Sequence, residues 1–298
     1  MHDHAFHTRF PISLQLIPLT VAALLILSVT ACRRNSPRKD PVQRKTLPTS
    51  TRQLTLVTYN VLADPYRAAL RMPTLLAILK ATEADIIALQ EVTPWFWRML
   101  RKQPWVRHYH RTPIGPGGGV PGGLLILSRF PITRTLVATM PGRQGRKGLL
   151  ADLRVDNTTL AVVTCHLESF LADGKIRADQ LALIFPLLQH APDAVLLGDL
   201  NFAENAQPET KQLLKTYRDL WIALRKDAPG YTWDNERSTM ARRAALAGEE
   251  SRRLDRILWR SEQWRPHTVR IIGTRPVAPD LPDLFPSDHF GLMGVLQR

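Results

Sequence analysis

The sequence predicts an α/β protein: a four-layer α/β sandwich in which two mainly antiparallel sheets pack face to face with helices outside. Three observations predict it. The chain carries many apolar runs of strand length, only a few helical stretches of modest length, and Gly- and Pro-rich loops where helices would otherwise join the strands of its middle section. A single doubly wound sheet would need helices between most of its strands and fits less well. With 44% hydrophobic and 22% charged residues in 298, the composition excludes a disordered or low-complexity chain and supplies a sizeable core. Two cysteines, Cys32 and Cys165, make neither a disulfide-dense scaffold nor a structural zinc site.

Residues 11–29 are mostly apolar but are interrupted by Gln15, Pro18, Thr20 and Ser28, which suits a secretion signal better than a spanning helix. The segment ends in Val29-Thr30-Ala31-Cys32, which resembles a bacterial lipobox. The expectation is a lipoprotein-type signal peptide over 1–31 and acylation of Cys32, holding the protein at a cell-envelope membrane. The alternative is an ordinary signal peptide and a secreted or periplasmic protein. Residues 32–52 contain three prolines, seven Lys or Arg and a single acid, Asp40, and read as a basic linker. An acylated Cys32 leaves Cys165 without a partner, so a reduced, buried thiol is expected there. The net charge of +14 at pH 7 arises wholly downstream of residue 31.

Residues 53–298 show no second linker and no repeat, and form one domain. Its opening is β-α-β: a strand at 54–59 (LTLVTY), a helix at 73–81 with Pro73 in its first turn, and a strand at 86–90 (IIALQ). Strands follow at 105–111, 124–128, 132–139 and 149–155, and Asp156-Asn157 turns the chain into another at 159–166. An amphipathic helix at 175–190 precedes a strand at 194–198; strands at 253–259, 269–273 and 291–296 complete the set. The loop 115–123 (GPGGGVPGG) lacks a following Gly-Lys-Ser/Thr and leads into a strand, so it reads as the rim of a cleft and not as a phosphate loop.

Polar residues stand where several of these strands end: Asn60, Glu91, His166, and Asp199 with Asn201. Asp255 and Ser287-Asp288-His289 join them near the last strands. Taken singly, such residues are usually turn formers or surface charges. Together they suggest one rim of a sheet bearing several carboxylates and two histidines, a grouping that repels itself unless a cation compensates. Oxygen ligands without a ligating Cys favour Mg²⁺ or Mn²⁺ over Zn²⁺.

The segments TYNVL, LQEV, LLILSRFPI, CHLES, GDLNF, RLDRIL and PSDHFGL occur in the order and spacing of the metal-dependent endonuclease/exonuclease/phosphatase superfamily, which the chain resembles over nearly all of 53–298. Within it, CHLES, YTWD, RLDRI and FPSDHFGL look most like 5′-tyrosyl-DNA phosphodiesterases. The chain departs from that pattern at Phe170 and Leu171, where those enzymes carry Thr and a phosphate-binding Arg, so Lys175 or Arg177 would have to substitute. Leu62 stands where repair nucleases often have an acid.

The resemblance implies hydrolysis of a phosphoester by in-line attack of water. It assigns Glu91, Asn60 and Asp288 to the metal and Asp199 and Asn201 to the attacking water. His289 held by Asp255, with His166 and Ser169, would serve the phosphate. Trp233 either stacks on a base or aromatic group or fills the core, and arginines between 242 and 260 either track a polyanion or form a solvated face. The function expected is that of a Mg²⁺-dependent phosphodiesterase acting on nucleic acid, as a monomer anchored through Cys32. The alternatives are a membrane-facing phospholipid or inositol-phosphate phosphoesterase and an inactive binding module of the same fold.

Overall fold

The computed structural model describes residues 50–213 and 216–298, so Cys32, the signal-like segment 1–31 and nearly all of the linker lie outside the described residues. Period-two alternation sorts the strand side chains into layers. In β1 (Gln53–Asn60), Leu54 and Leu56 face the second sheet, whereas Val57 and Tyr59 face helices. The first sheet continues with β2 (Ile86–Gln90), β3 (His110–Arg111) and β4 (Leu125–Ser128) and is closed on its other side by two strands from the end of the chain, β11 (Arg265–Ile272) and β12 (Gly291–Gln297). Its order is β11-β12-β1-β2-β4-β3.

The second sheet is built from β5 (Ile132–Thr139), β6 (Lys147–Val155), β7 (Thr158–His166), β8 (Asp193–Asp199), β9 (Arg218–Asp219) and β10 (Asp255–Arg260), in the order β5-β6-β7-β8-β10-β9. A core that includes Ile86, Ile126, Leu149, Val162, Leu197 and Trp259 lies between the sheets. Helices α1 (Ala68–Ala81) and α2 (Pro94–Leu100) cover the first sheet, and α3 (Gly174–Leu187) covers the second. The four expected layers are therefore present.

Among the described residues only two strand pairs run parallel, β1 with β2 and β7 with β8. Parallel neighbours put their carboxyl ends side by side, so Asn60 lies beside Gln90 and His166 beside Asp199. Beneath these ends a polar seam crosses the sheets: Gln90 donates to Thr164 Oγ1 at 2.9 Å and to Thr58 Oγ1 at 3.1 Å. All three side chains are buried, and each finds its partner within the seam.

Several elements differ from expectation. The helix before β2 begins at Ala68, so Pro73 lies inside it and not in its first turn. Arg71 explains the extension: its buried guanidinium donates to the carbonyls of Asp64, Tyr66 and Pro286, pinning the chain ahead of Pro73. The sequence reading missed α2, although Thr93 caps it by accepting from the Phe96 N–H at 3.2 Å and Pro94 opens its first turn. Most of the expected strand at 105–111 is a 3₁₀ turn, Pro104–His108, initiated by Pro104; only His110–Arg111 pairs as a strand. Helix α3 stops at Leu187, short of the expected His190. Cys165 is buried and free, and burial pushes its thiol pKa up.

Gly198, just ahead of Asp199, sets how closely β7 and β8 approach: a Cβ there would lie 2.2 Å from the Cys165 carbonyl oxygen. Backbone cannot yield as a side chain can. Gly198→Ala should cost about 3 kcal/mol and lower the Tm by roughly 10 °C in thermal unfolding; a variant as stable as the wild type would contradict this packing.

Candidate active site

The two parallel pairs bring their carboxyl ends together at one edge of the inter-sheet core, and Asp199 sits at the meeting point with 0% of its surface exposed. Its Oδ2 accepts from Asn60 Nδ2 at 3.1 Å and lies 3.3 Å from His166 Nε2 and 3.6 Å from His289 Nε2. Its Oδ1 accepts from the Asn201 N–H at 3.0 Å. Burial alone would raise the carboxyl pKa; His289, His166, Asn60 and Arg146 outweigh it, and the group titrates below the ordinary range.

Asn60 also reaches across β1–β2, donating to Glu91 Oε1 at 3.0 Å, while Glu91 Oε2 accepts from the Ala63 N–H at 2.7 Å. Glu91 adopts a left-handed backbone with φ 59°, as do Leu62 and Asn201, an arrangement that costs an L residue energy and concentrates here at the site. Gly123 permits it by lying against the Glu91 backbone, where a Cβ would come within 3.3 Å. Burial would raise the Glu91 carboxyl, but His166, the two hydrogen bonds and His289 hold it below its usual value.

The histidines carry opposite charge states. His289 Nδ1 is 2.8 Å from Asp255 Oδ2, and its Nε2 points toward Asp199. Burial disfavours the imidazolium, yet Asp255 and Asp199 raise its pKa well above 6.5. Burial pushes Asp255 up to about 6, so at neutral pH the pair is a carboxylate and an imidazolium. His166 accepts at Nδ1 from Arg146 at 2.8 Å, which places its proton on Nε2, facing Asp199. Burial lowers it to about 4, more than Asp199 restores, and Arg146 lowers it further.

Arg146 was not identified from the sequence, which offers only a loop with two arginines between β5 and β6. Its guanidinium bonds His166 and the Ser169 hydroxyl and is a cation of the site. Arg177 does not fill that place. It is 3% exposed, pairs with Glu209 at 2.8 Å, and donates to the carbonyls of Glu168, Phe170 and Leu171. A buried guanidinium must satisfy its donors, so Arg177 shapes the loop that carries Ser169. Lys175 pairs with Asp179 on the surface.

Trp233, 7% exposed, meets the His289 ring edge-on at 4.9 Å and walls it in, acting on the site through that imidazole. Thr232 beside it accepts from the Leu254 and Asp255 N–H groups, which fixes Asp255. The Asn201 amide donates to the Leu167 carbonyl at 3.0 Å, leaving its oxygen as an acceptor. Three of the arginines late in the chain are engaged inside the fold: Arg253 pairs with Asp219, Arg256 donates to the Phe202 carbonyl, and Arg260 to those of Leu188 and Ala191, whereas Arg242 and Arg243 are exposed.

The side chains fit a hard divalent cation. Glu91, 26% exposed, and the buried Asp288, whose carboxyl is raised by burial and further by Glu91, offer oxygen ligands that a cation would reconcile. Asp199, Asp255 and His289 also bring three ligand atoms within 4.8 Å of one another. Both His289 nitrogens are already directed at carboxylates, so hydrogen bonding accounts for that group and the Glu91 side suits the ion better.

The model of the Endonuclease/Exonuclease/phosphatase family matches residues 57–289, a span that contains Asn60, Glu91, His166, Asp199, Asp255 and His289. The chain belongs to this family. Family relatives include tyrosyl-DNA phosphodiesterase 2 of Bos taurus, 28% identical over 71% of this chain and 58% of that protein. The Homo sapiens protein is 27% identical over 70% and 58%. The chain thus spans under two thirds of their length. Among family members of solved structure, D. rerio TDP2 complexed with single-strand DNA product superposes with a TM-score of 0.72, 23% identity, 83% of this chain and 99% of that one. TDP2 from C. elegans gives 0.67 and 19% over 83% and 75%. Both share the fold.

The charge states have a direct readout in imidazole NMR titration of the metal-free protein. His166 should stay neutral down to about pH 4 with its proton on Nε2, and His289 should stay protonated well above 6.5. By linkage, the His166 contribution to stability is present above the unfolded pKa and lost as pH falls toward 4; that of His289 is present below the unfolded pKa and lost as pH rises through its raised value. Two histidines titrating together near 6.5 would contradict the assigned hydrogen bonds.

Proposed function

We propose that this protein is a Mg²⁺- or Mn²⁺-dependent phosphodiesterase that acts on DNA, with a tyrosyl–DNA linkage as its substrate. The observation that carries the reading is the buried Asp199 carboxylate, set between the Asn60 amide and the two imidazoles with Glu91 across from it. Glu91, Asn60 and Asp288 would hold a divalent ion, which would supply charge neutralisation for the phosphate and the leaving oxygen. Asp199, ionised and acceptor-only, orients water and takes its proton, with the Asn201 oxygen as second acceptor. His289, charged and held by Asp255, donates from Nε2 to a non-bridging oxygen. His166 donates from Nε2, and Arg146 balances charge beside it.

The names of the matched relatives support the DNA substrate, and the excess of +14 suits a polyanion. No observation favours a phospholipid substrate or an inactive binding module. The same proposal has the chain act as a monomer held at the cell envelope by acylated Cys32; no helix among the described residues is long and apolar enough to cross a membrane.

Hydrolysis of a 5′-tyrosyl oligonucleotide with Mg²⁺ should vanish in EDTA and return with added metal. Asp199→Ala and His289→Ala should each lower the rate by about a thousandfold or more. Equal rates in all samples would end the reading. Incorporation of a fatty-acid label by the wild type and not by Cys32→Ser supports the anchor, and an unlabelled wild type removes it.

A further inference from the structure

Between Glu91 and Asp152 the chain contains no Asp or Glu and ten Lys or Arg. The fold gathers part of this run around an open cavity of about 570 Å³ beside α2 and β3, apart from the residues around Asp199. Arg98, Arg101, Arg107 and Arg111 line it, over a floor that includes Trp97 and Tyr109. Arg111 is engaged, its guanidinium 5.3 Å from the Trp97 ring centroid. Arg98, Arg101 and Arg107 are exposed, and none meets a carboxylate among the described residues. The guanidinium groups of Arg98, Arg101 and Arg107 repel each other in one concavity, and no lining residue bears a compensating charge for them. An anion with several oxygens removes that repulsion, and phosphate suits the planar fork of arginine.

The cavity is tied to the catalytic side by the glycine-rich loop. At one end Gly118 lines the cavity and rests on Trp97, where a Cβ would come within 3.3 Å. Further along, Gly122 lies against the Lys147 side chain, and Gly123 against Glu91. Trp97 follows Glu91 by six positions, so the two lie within roughly 20 Å, the reach of six extended residue steps. Cations are therefore spaced along one path, from the cavity past Lys147 to Arg146.

We propose that this cavity is a second, non-catalytic phosphate-binding site that takes backbone phosphates of the nucleic-acid strand whose end is processed at Asp199; the identity of that strand rests on the function proposed above. A concave site lined by cations fits a flexible single strand better than a flat lipid surface. The site adds affinity for longer strands and leaves the chemistry on short ones unchanged.

The test compares the full chain with the triple variant Arg98→Ala, Arg101→Ala, Arg107→Ala, whose substitutions are all exposed. Binding of single-stranded DNA of about four and about fifteen nucleotides is measured by fluorescence anisotropy in EDTA, which needs no turnover. The variant should lose about tenfold or more in affinity for the long strand and keep that for the short one. Its dependence of log affinity on log salt should flatten by about 2, the share of three phosphate contacts on a single strand. Turnover of a short tyrosyl substrate should match the wild type. Unchanged long-strand affinity and salt slope would overturn the proposal. So would loss of binding to phosphatidylglycerol vesicles with DNA binding intact, which would mark a membrane contact instead. A wild type that cleaves no tyrosyl–DNA would refute the proposed function, while the EDTA comparison still decides the cavity.

Discussion

A carboxylate removed from water must receive its solvation from the protein, and Asp199 is the place where this fold meets that demand. Left alone, the buried charge would cost several kcal/mol or take up a proton. Donors from two other strand ends and the loop before β12 converge on it instead, and they hold it ionised. The convergence also fixes the donors. Asn60 spans Asp199 and Glu91, His166 is locked into one tautomer by Arg146, and His289 is charged because Asp255 stands behind it. A site that must be acidic, basic and hydrogen-bond-donating at neutral pH thus obtains all three properties from one buried charge and its satisfaction.

The sheet topology makes this convergence possible. Each sheet is antiparallel except for one central pair, and each such pair delivers two carboxyl ends to the same edge of the inter-sheet core. Strand parity then aims the last side chains. Asn60 shares the face of Leu54 and Leu56, and Asp199 that of Val195 and Leu197, so these polar groups continue the inter-sheet core outward. The Gln90–Thr58–Thr164 seam lies between the dry core and the polar site and ties the sheets where their relative position matters most. Outside this layer, buried arginines serve as fasteners. Arg71 joins the segment at 64–66 to the loop before Ser287, and Arg177 fastens the loop bearing Ser169. Buried guanidinium groups thus fasten segments through carbonyls and carboxylates, whereas exposed ones between Glu91 and Asp152 add to the basic surface.

Most strands and the polar residues that meet around Asp199 were readable in the sequence because both leave local marks. A strand buried on both faces is a short apolar run, and a polar residue at its end breaks that run at a definite position, as Asn60, His166 and Asp199 do. Arg146 left no such mark, since an arginine in a polar loop looks the same whether it faces solvent or bonds an imidazole. Arg177 was misread for the converse reason: its nearness to CHLES in sequence suggested the site, but a carboxylate 32 residues further along the chain claimed it. Trp233 was left between two roles, and contact with His289 decided it, a partner from the far end of the chain.

By itself, then, the sequence determined the layered α/β class, most of the strands that build it, the strand-end polar residues and the oxygen-rich character of the site, because these follow from periodicity, burial and side-chain chemistry along contiguous segments. Only the tertiary structure decided which edge those residues share, which imidazole is charged, which of several arginines faces the site, and where exposed guanidinium groups collect. Those properties depend on distances between segments distant in the chain, and electrostatic energies at a few ångströms are set by such distances and by burial, neither of which is written in local sequence.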